Sequence, residues 1–330
     1  MLYPLKFKPI YKQVIWGGKN ISALPNRKSV PAQCGESWEI SGLEKSESVV
    51  ANGFLKGNSL SEIIEIYMGD IVGEQNFLDF GTYFPLLIKI IDTEDVLSVQ
   101  VHPDDETAFE KHNSAGKTEM WYIIKADSQS DIINGFNKVT NNEEVREKIQ
   151  QGTLTEILHH VPAVAGDTFF IPSGRVHAIG KGIMLAEIQQ ASDITYRLFD
   201  WNRKDAEGKG RELHIEDALE VLDYSDRADH YKRNPLPDMS YPLVNCDYFT
   251  VNKMELKVEV QKDYNTIDSF IVLLCTQGEC VIKTPENEDA PLTFGETILI
   301  PACLELVSIE PKDGSCQLLE IYLVPPAHDH

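Results

Sequence analysis

Two side chains with good donor atoms, Gln100 and His102, interrupt an apolar run in Ser98-Val99-Gln100-Val101-His102-Pro103. On an extended strand, residues two apart share a face. Ser98, Gln100 and His102 therefore point one way, and Val99 and Val101 point the other. A hydroxyl, an amide and an imidazole on one face describe a strand lining a polar interior. Water, a hydrogen-bond network or a metal ion would each satisfy that face, so the pair alone leaves the chemistry open.

Such a strand needs neighbours to hold it. Short β-type runs punctuated by Gly, Pro and Asn dominate the chain: 85–92, 96–103, 120–126, 168–174 and 182–190 read as strands. Helical spacing is rarer. Segment 59–73 opens on Ser59 and carries apolar residues at helical intervals, 141–161 reads as two short helices, and 214–223 as a third. Three prolines within 231–242 mark a linker. Beyond it, 270–284 reads as a hairpin turning at Gln277-Gly278, followed by strand material over 294–309.

Composition narrows the setting. The 330 residues are 42% hydrophobic and 25% charged, ordinary for a globular chain of one large or two medium domains. A net charge of −22 repels phosphate backbones and anionic membranes, so neither nucleic acid nor membrane is an expected partner. The same field opposes an anionic small substrate unless Lys and Arg gather at the site. No secretory signal and no apolar run long enough to span a bilayer is evident. The six cysteines, five of them after residue 240, form no CxxC pair and suit free thiols in a reducing cytoplasm.

The chain also echoes itself. Gly166-Asp-Thr-Phe-Phe-Ile-Pro172 and Gly295-Glu-Thr-Ile-Leu-Ile-Pro301 share Gly, an acid, Thr, three apolar residues and Pro at the same offsets. A repeated Gly–strand–Pro unit predicts two similar β-domains. The copies part where chemistry would sit: His177 in the first is matched by Leu306 in the second. Leu neither ligates nor shuttles protons, so the second copy is expected to be structural.

Gly166 through Pro172-Ser173-Gly174-Arg175-Val176-His177 resembles the second motif of the cupins, small antiparallel β-barrels with an internal metal site. In their first motif two His one residue apart precede a nearby Glu. Here the pair is Gln100 and His102, and Glu119 follows seventeen residues later, a departure that marks a subgroup. The order of "QVHP", "GKTEMWY", "FIPSGRVHAIG" and "EIQQASDITYR" resembles the type I mannose-6-phosphate isomerases. "WGG" at 16–18, "GESWEISG" at 35–42 and "RLFDWNR" at 197–203 fit their short bacterial branch. The resemblance covers residues 1–210 well and the remainder only through its barrel pattern.

That resemblance implies a mainly β fold of two cupin-like jelly-roll barrels with a small helical insertion, the second barrel degenerate. Residues 1–235 would form the catalytic domain, with the insertion at about 138–161, and 236–330 the C-terminal one. It implies Gln100, His102, Glu119 and His177 as ligands of one Zn²⁺ per chain, a mixed N/O set that also suits Mn²⁺, Fe²⁺ or Co²⁺. It places Arg197 at the active site, where a guanidinium can fork onto enediolate or phosphate oxygens. Lys117, two residues before Glu119, and Glu187, on the strand after His177, compete as the base. Ser98, on the Gln100 face, and Arg203 are the candidates for the phosphate. The implied reaction interconverts D-mannose 6-phosphate and D-fructose 6-phosphate through an enediol or enediolate. Alternatives are a non-enzymatic sugar-phosphate-binding cupin and an iron-dependent cupin dioxygenase. The expected protein is cytoplasmic, a monomer or weak dimer whose partner is a small sugar phosphate. His112, His159, His160, His328 and His330 lack partner motifs and read as hydrogen-bonded or surface groups.

Overall fold

The computed structural model describes residues 1–204, 208–225, 230–231, 236–285 and 287–323. Its strands form three antiparallel sheets. The first runs in the order Ile10–Gly18, Cys34–Ser41, Leu86–Thr93, Ile183–Gln190, Glu119–Ala126, Thr168–Ile171 and His230–Tyr231. The second runs Tyr196–Phe199, Val99–Val101, His177–Ile179, Asp131–Phe136 and Leu158–Pro162. The third centres on two long strands, Ile271–Lys283 and Leu306–Tyr322, flanked by Ser240–Asn245, Thr250–Leu256, Val260–Asp263, Ala290–Thr293 and Thr297–Ile300. The fold is mainly β, as expected, and its jelly-roll sheets lie face to face rather than closing into continuous barrels.

The period of two sorts each strand of the first sheet between two environments. Ile88, Met120, Tyr122, Ala186 and Ile188 face the third sheet and share one core with Phe249, Val272, Leu274 and Leu319. Ile91, Trp121, Ile123, Phe169 and Leu185 face the second sheet and pack with Ile132, Val161 and Ile179. The first sheet is thus a middle layer, buried on both sides. The N-terminal segment also joins the third sheet directly, through the Leu5 and Leu299 backbone bridge.

Helices start where capping chemistry starts them. Ser59 accepts from the Glu62 N–H while the Glu62 carboxylate accepts from the Ser59 N–H, a capping box that opens Leu60–Tyr67. Asn141 caps Asn142–Gln151, which ends on Gly152 at φ 70°. The second helix expected before residue 161 does not form. After a single 3₁₀ turn, Leu154–Ile157, the chain becomes the strand Leu158–Pro162, paired with Asp131–Phe136. A partner strand with buried Leu158 and Val161 outweighs the local helical spacing.

The hairpin expected at Gln277-Gly278 is also absent. Ile271–Lys283 is one thirteen-residue strand that bulges there instead of reversing. Gly278 takes φ 71°, the conformation that made the dipeptide look like a turn. Two short strands, Thr297–Ile300 and Ala290–Thr293, share the edge of this single strand in succession. The echoed units do match: Gly166 and Gly295 have φ 93° and 82°, and each precedes a four-residue strand, Thr168–Ile171 or Thr297–Ile300. His328, His330 and much of the expected linker lie outside the described residues.

Candidate active site

Two rows of side chains face each other between the first and second sheets. In the second sheet, Arg197 is paired with Gln100, Gln100 with His177, and His177 with Asn134. Cross-strand partners share a face, so this register makes one polar row from four strands. In the first sheet, Trp38 is paired with Lys89, Lys89 with Glu187, and Glu187 with Trp121. Glu119, two residues before Trp121, and Gln189, its cross-strand partner, extend that face by one step. The Trp121 ring meets His177 edge-on at 5.4 Å, which ties the two rows together.

At the junction the donor atoms converge. His102 Nε2 lies 3.5 Å from Glu119 Oε2, and His177 Nε2 lies 3.5 Å from Glu119 Oε1. His102 Nδ1 donates to the Ile194 carbonyl at 2.9 Å and His177 Nδ1 to the Arg175 carbonyl at 2.8 Å. Those backbone acceptors fix the tautomers and leave both Nε2 lone pairs aimed at the carboxylate. His102 Nε2 and both Glu119 oxygens are buried without a hydrogen-bond partner. Each such group costs roughly 1–3 kcal/mol if nothing satisfies it. A divalent cation would satisfy all of them together, so His102, Glu119 and His177 form a cluster that could hold a metal ion. Gln100 stands at its rim. Its Nε2 is 3.3 Å from His177 Nε2, and its Oε1 accepts from Ser98 Oγ at 3.3 Å. Turning the amide over would offer Oε1 to the cluster.

Electrostatics prepare the ligands. Burial, reinforced by the Lys117 charge, pushes His102 down to about 3, and burial likewise lowers His177. Both imidazoles are therefore neutral at pH 7, the form that ligates a metal. Burial alone would raise Glu119, but Lys117 and the two imidazoles hold it well below the usual carboxylate range. Lys117 Nζ lies 3.2 Å from Glu119 Oε2.

A cavity of about 230 Å³ lies beside this cluster, lined by Gln100 and Lys117, which contact His177 and Glu119. Its wall includes Ser98, Gln100, Lys117, Glu187 and Arg197, five of the residues picked from sequence. Four cations against three carboxylates line it, in a chain with 30 cations to 52 acids, so positive charge is concentrated where an anionic substrate needs it. Glu187 is doubly engaged, accepting from Lys89 Nζ at 2.7 Å and from Trp121 Nε1 at 2.9 Å. Arg197 is half-buried, and its Nε has no hydrogen-bond partner. Burial and the nearby Arg211 lower its pKa from the usual arginine value.

Arg203 does not line this cavity. Its guanidinium is held by Asp200 and by the Val96 carbonyl. Arg211 lines it instead, with its Nε 2.7 Å from Asp200 Oδ2. Sequence reading also passed over Lys89, whose ammonium is bonded to Glu187 and to Gln189 Oε1 at 2.7 Å. Burial would lower the Lys89 pKa, but Glu187 and Glu36 raise it and keep the group protonated. A lone Lys within the apolar run Leu86–Ile91 was the available signal, since a buried ammonium demands a carboxylate partner. His160 pairs with Asp131 on the outermost strand, away from the cavity.

Comparison with known proteins gives a consistent picture. The model of the type I phosphomannose isomerase catalytic domain matches residues 4–119, and that of the mannose-6-phosphate isomerase cupin domain matches residues 240–323. The chain is 42% identical over 306 residues to mannose-6-phosphate isomerase ManA of Bacillus subtilis, covering 90% of this chain and 93% of that one. It is 36% identical over 308 residues to mannose-6-phosphate isomerase of Streptococcus mutans, with 91% and 93% covered. The crystal structure of the mannose 6-phosphate isomerase from Bacillus subtilis superposes with a TM-score of 0.83 at 31% identity, covering 97% of this chain and 99% of that one.

Proposed function

This chain belongs to the type I mannose-6-phosphate isomerases, and from that premise we propose how its residues interconvert D-mannose 6-phosphate and D-fructose 6-phosphate. The carrying observation is the pair of buried Glu119 oxygens, neither accepting a hydrogen bond, set between two imidazole Nε2 atoms. His102, Glu119 and His177 would hold the ion, Gln100 would supply the fourth donor through its amide oxygen, and the mixed N/O set suits Zn²⁺ first. When bound, a divalent ion would supply Lewis acidity, polarising the sugar carbonyl and so acidifying the C–H of the carbon next to it.

The remaining work falls to side chains already in place. Isomerisation takes a proton from C2 of the aldose and returns it to C1, while the C2 hydroxyl proton passes to O1 and the carbonyl moves from C1 to C2. Lys117 is the group we assign to the C2-to-C1 transfer: as the neutral amine it takes the C2 proton, and as the ammonium so formed it delivers that proton to C1. It lines the cavity, and its ammonium contacts one carboxylate, whereas both Glu187 oxygens are committed to Lys89 and Trp121. Glu187 then orients the sugar hydroxyls from a rigid frame. Arg197, with an unpartnered Nε, stabilises the enediolate oxygens. Arg211 and Ser98 take the phosphate at the cavity wall, and Arg203 acts through Asp200, which it shares with Arg211.

Residues 1–235 carry this chemistry, and 236–330 form a second, non-catalytic unit. The six unbonded cysteines agree with a cytoplasmic setting, and no described helix is long and apolar enough to cross a membrane. The dioxygenase and the non-catalytic binding module are not favoured by these relatives.

The test is isomerase activity of the purified chain, removed by a chelator and restored by Zn²⁺, alongside Lys117→Gln and Glu187→Gln. Lys117→Gln should lose about 10²–10⁴-fold in kcat and stop exchange of the C2 hydrogen with solvent. Glu187→Gln should keep that exchange. The reverse result would reassign the base.

A further inference from the structure

The strand Cys34–Ser41 borders two cavities. Trp38 and Glu36 line the catalytic one. At the next residue the register with Leu86–Thr93 slips, Trp38 pairing with Lys89 and Ile40 with Ile88, so that Glu39 is the extra residue of a β-bulge. Glu39 lines a separate cavity of about 450 Å³, between the N-terminal segment and the third sheet. That volume lies within the range of small-molecule sites. Four cations line it, Lys6, Lys8, Arg27 and Lys28, against two carboxylates, Glu39 and Glu296.

The charges are not evenly matched. Arg27 Nη2 lies 2.8 Å from Glu39 Oε1, with both side chains only 3% exposed, and Lys6 Nζ lies 3.0 Å from Glu296 Oε2. Those two pairs are neutral and rigid. Lys8 and Lys28 have no ion-pair partner among the described residues, so the cavity carries two uncompensated positive charges in a chain of net charge −22. Both residues are exposed, so an anion entering the cavity meets a solvent-accessible double positive charge. A phosphate monoester, at about −2 near neutral pH, matches it in sign and size. The Phe7 and Tyr11 rings and Pro25 give the rest of the wall the apolar surface that a sugar or nucleoside body would cover.

We propose that this cavity is a second, non-catalytic site for a small phosphorylated metabolite, with Lys8 and Lys28 as the phosphate receptors. Because Glu39 is one residue from Trp38, its occupancy would be felt at the catalytic wall through a single bulged strand.

Equilibrium dialysis of the metal-loaded chain against labelled D-fructose 6-phosphate, and separately AMP, tests this. The expected total is two phosphorylated molecules per chain, one of them lost in Lys8→Glu/Lys28→Glu with at least a tenfold weaker second affinity. The catalytic KM and kcat of that variant should stay within twofold, which also reports that it folds. Two sugar phosphates bound in the absence of AMP would mark a sugar phosphate as the occupant, whereas one sugar phosphate together with one AMP would mark an adenylate. One sugar phosphate per chain with no AMP bound overturns the proposal. So does a second molecule that survives the charge reversal. If the double Glu variant does not fold, Lys8→Gln/Lys28→Gln is read against the same criteria.

Discussion

Two of the molecule's buried carboxylates, one in each half, are treated in opposite ways. Glu320, in the third sheet, is 2% exposed and fully satisfied: Tyr264 and Lys262 reach Oε1 at 2.8 Å, and Ser240 and Asn252 reach Oε2 at 2.9 Å. Glu119 is just as buried, yet neither oxygen accepts a hydrogen bond, and its neighbours are two imidazoles and one ammonium. A buried carboxylate whose lone pairs are all used is part of the architecture. One whose lone pairs are kept free, in a ring of donors with fixed tautomers, is waiting for a ligand. The contrast separates structural from functional burial without reference to fold.

The largest effect should come from the ring itself. His102→Ala or His177→Ala should strip the metal, measured by elemental analysis, and bring isomerase activity to background. Full activity in metal-free protein would remove the distinction drawn between the two carboxylates. Arg197→Ala should cost about 10²–10³-fold in kcat while metal content stays near one per chain. Loss of the ion in that variant would instead place Arg197 in the scaffold.

The Glu320 network should behave in the converse way. Glu320→Ala removes the carboxylate that Lys262 and three donors share, a loss of roughly 3–5 kcal/mol in unfolding free energy. Its kcat per folded molecule should be unchanged. pH sharpens the point. Burial alone would raise the Glu320 pKa, but Lys262 and the hydrogen bonds hold it below the usual carboxylate range. A carboxyl depressed in the folded state contributes stability that is present above its unfolded pKa, about 4.3, and is lost as pH falls through the folded value. Below about pH 4.3 the melting temperature of the wild type should therefore drop more steeply than that of Glu320→Gln. Parallel curves would mean that the network is not titrating.

How much of this was legible in the chain follows the same line. The donor cluster could be read because Gln100, Glu119 and His177 lie on strands, where a period of two fixes facing, His102 directly follows the strand Val99–Val101, and four donor residues fall in a family order. Which arginine lines the cavity could not. Arg203 and Arg211 sit three and eleven residues beyond Asp200, in loop backbone with no period. Which of them faces the cavity depends on how both share a single carboxylate. Lys89 lay in a run read only as strand, and Glu36 and Trp38 in a stretch read only for its family resemblance. Their shared face was visible in the alternation, but the pairing that brought Lys89 to Glu187 was not. The misread turn at Gln277-Gly278 has the same origin. A glycine at positive φ serves a bulge as well as a turn, and only the partners on the strand's edge decide between them.

The smallest effect should come from the position where the internal echo breaks. Leu306 occupies the place of His177, eleven residues after the shared Gly, and each opens a strand. His177 is fully buried with Nδ1 fixed by a carbonyl, while the Leu306 side chain is 56% exposed. The corresponding core of the third sheet is filled by Leu273, Ile282, Ile298 and Ile309, with no cluster of three ligating groups among its described residues. Leu306→His therefore adds one imidazole to a surface, where a single donor holds no ion against water. Metal content should remain at one per chain, with activity unaltered and the melting temperature nearly so. A second equivalent of bound metal would show that the third sheet retains a latent site, and that the difference between the two halves rests on one side chain rather than on the packing of a whole core.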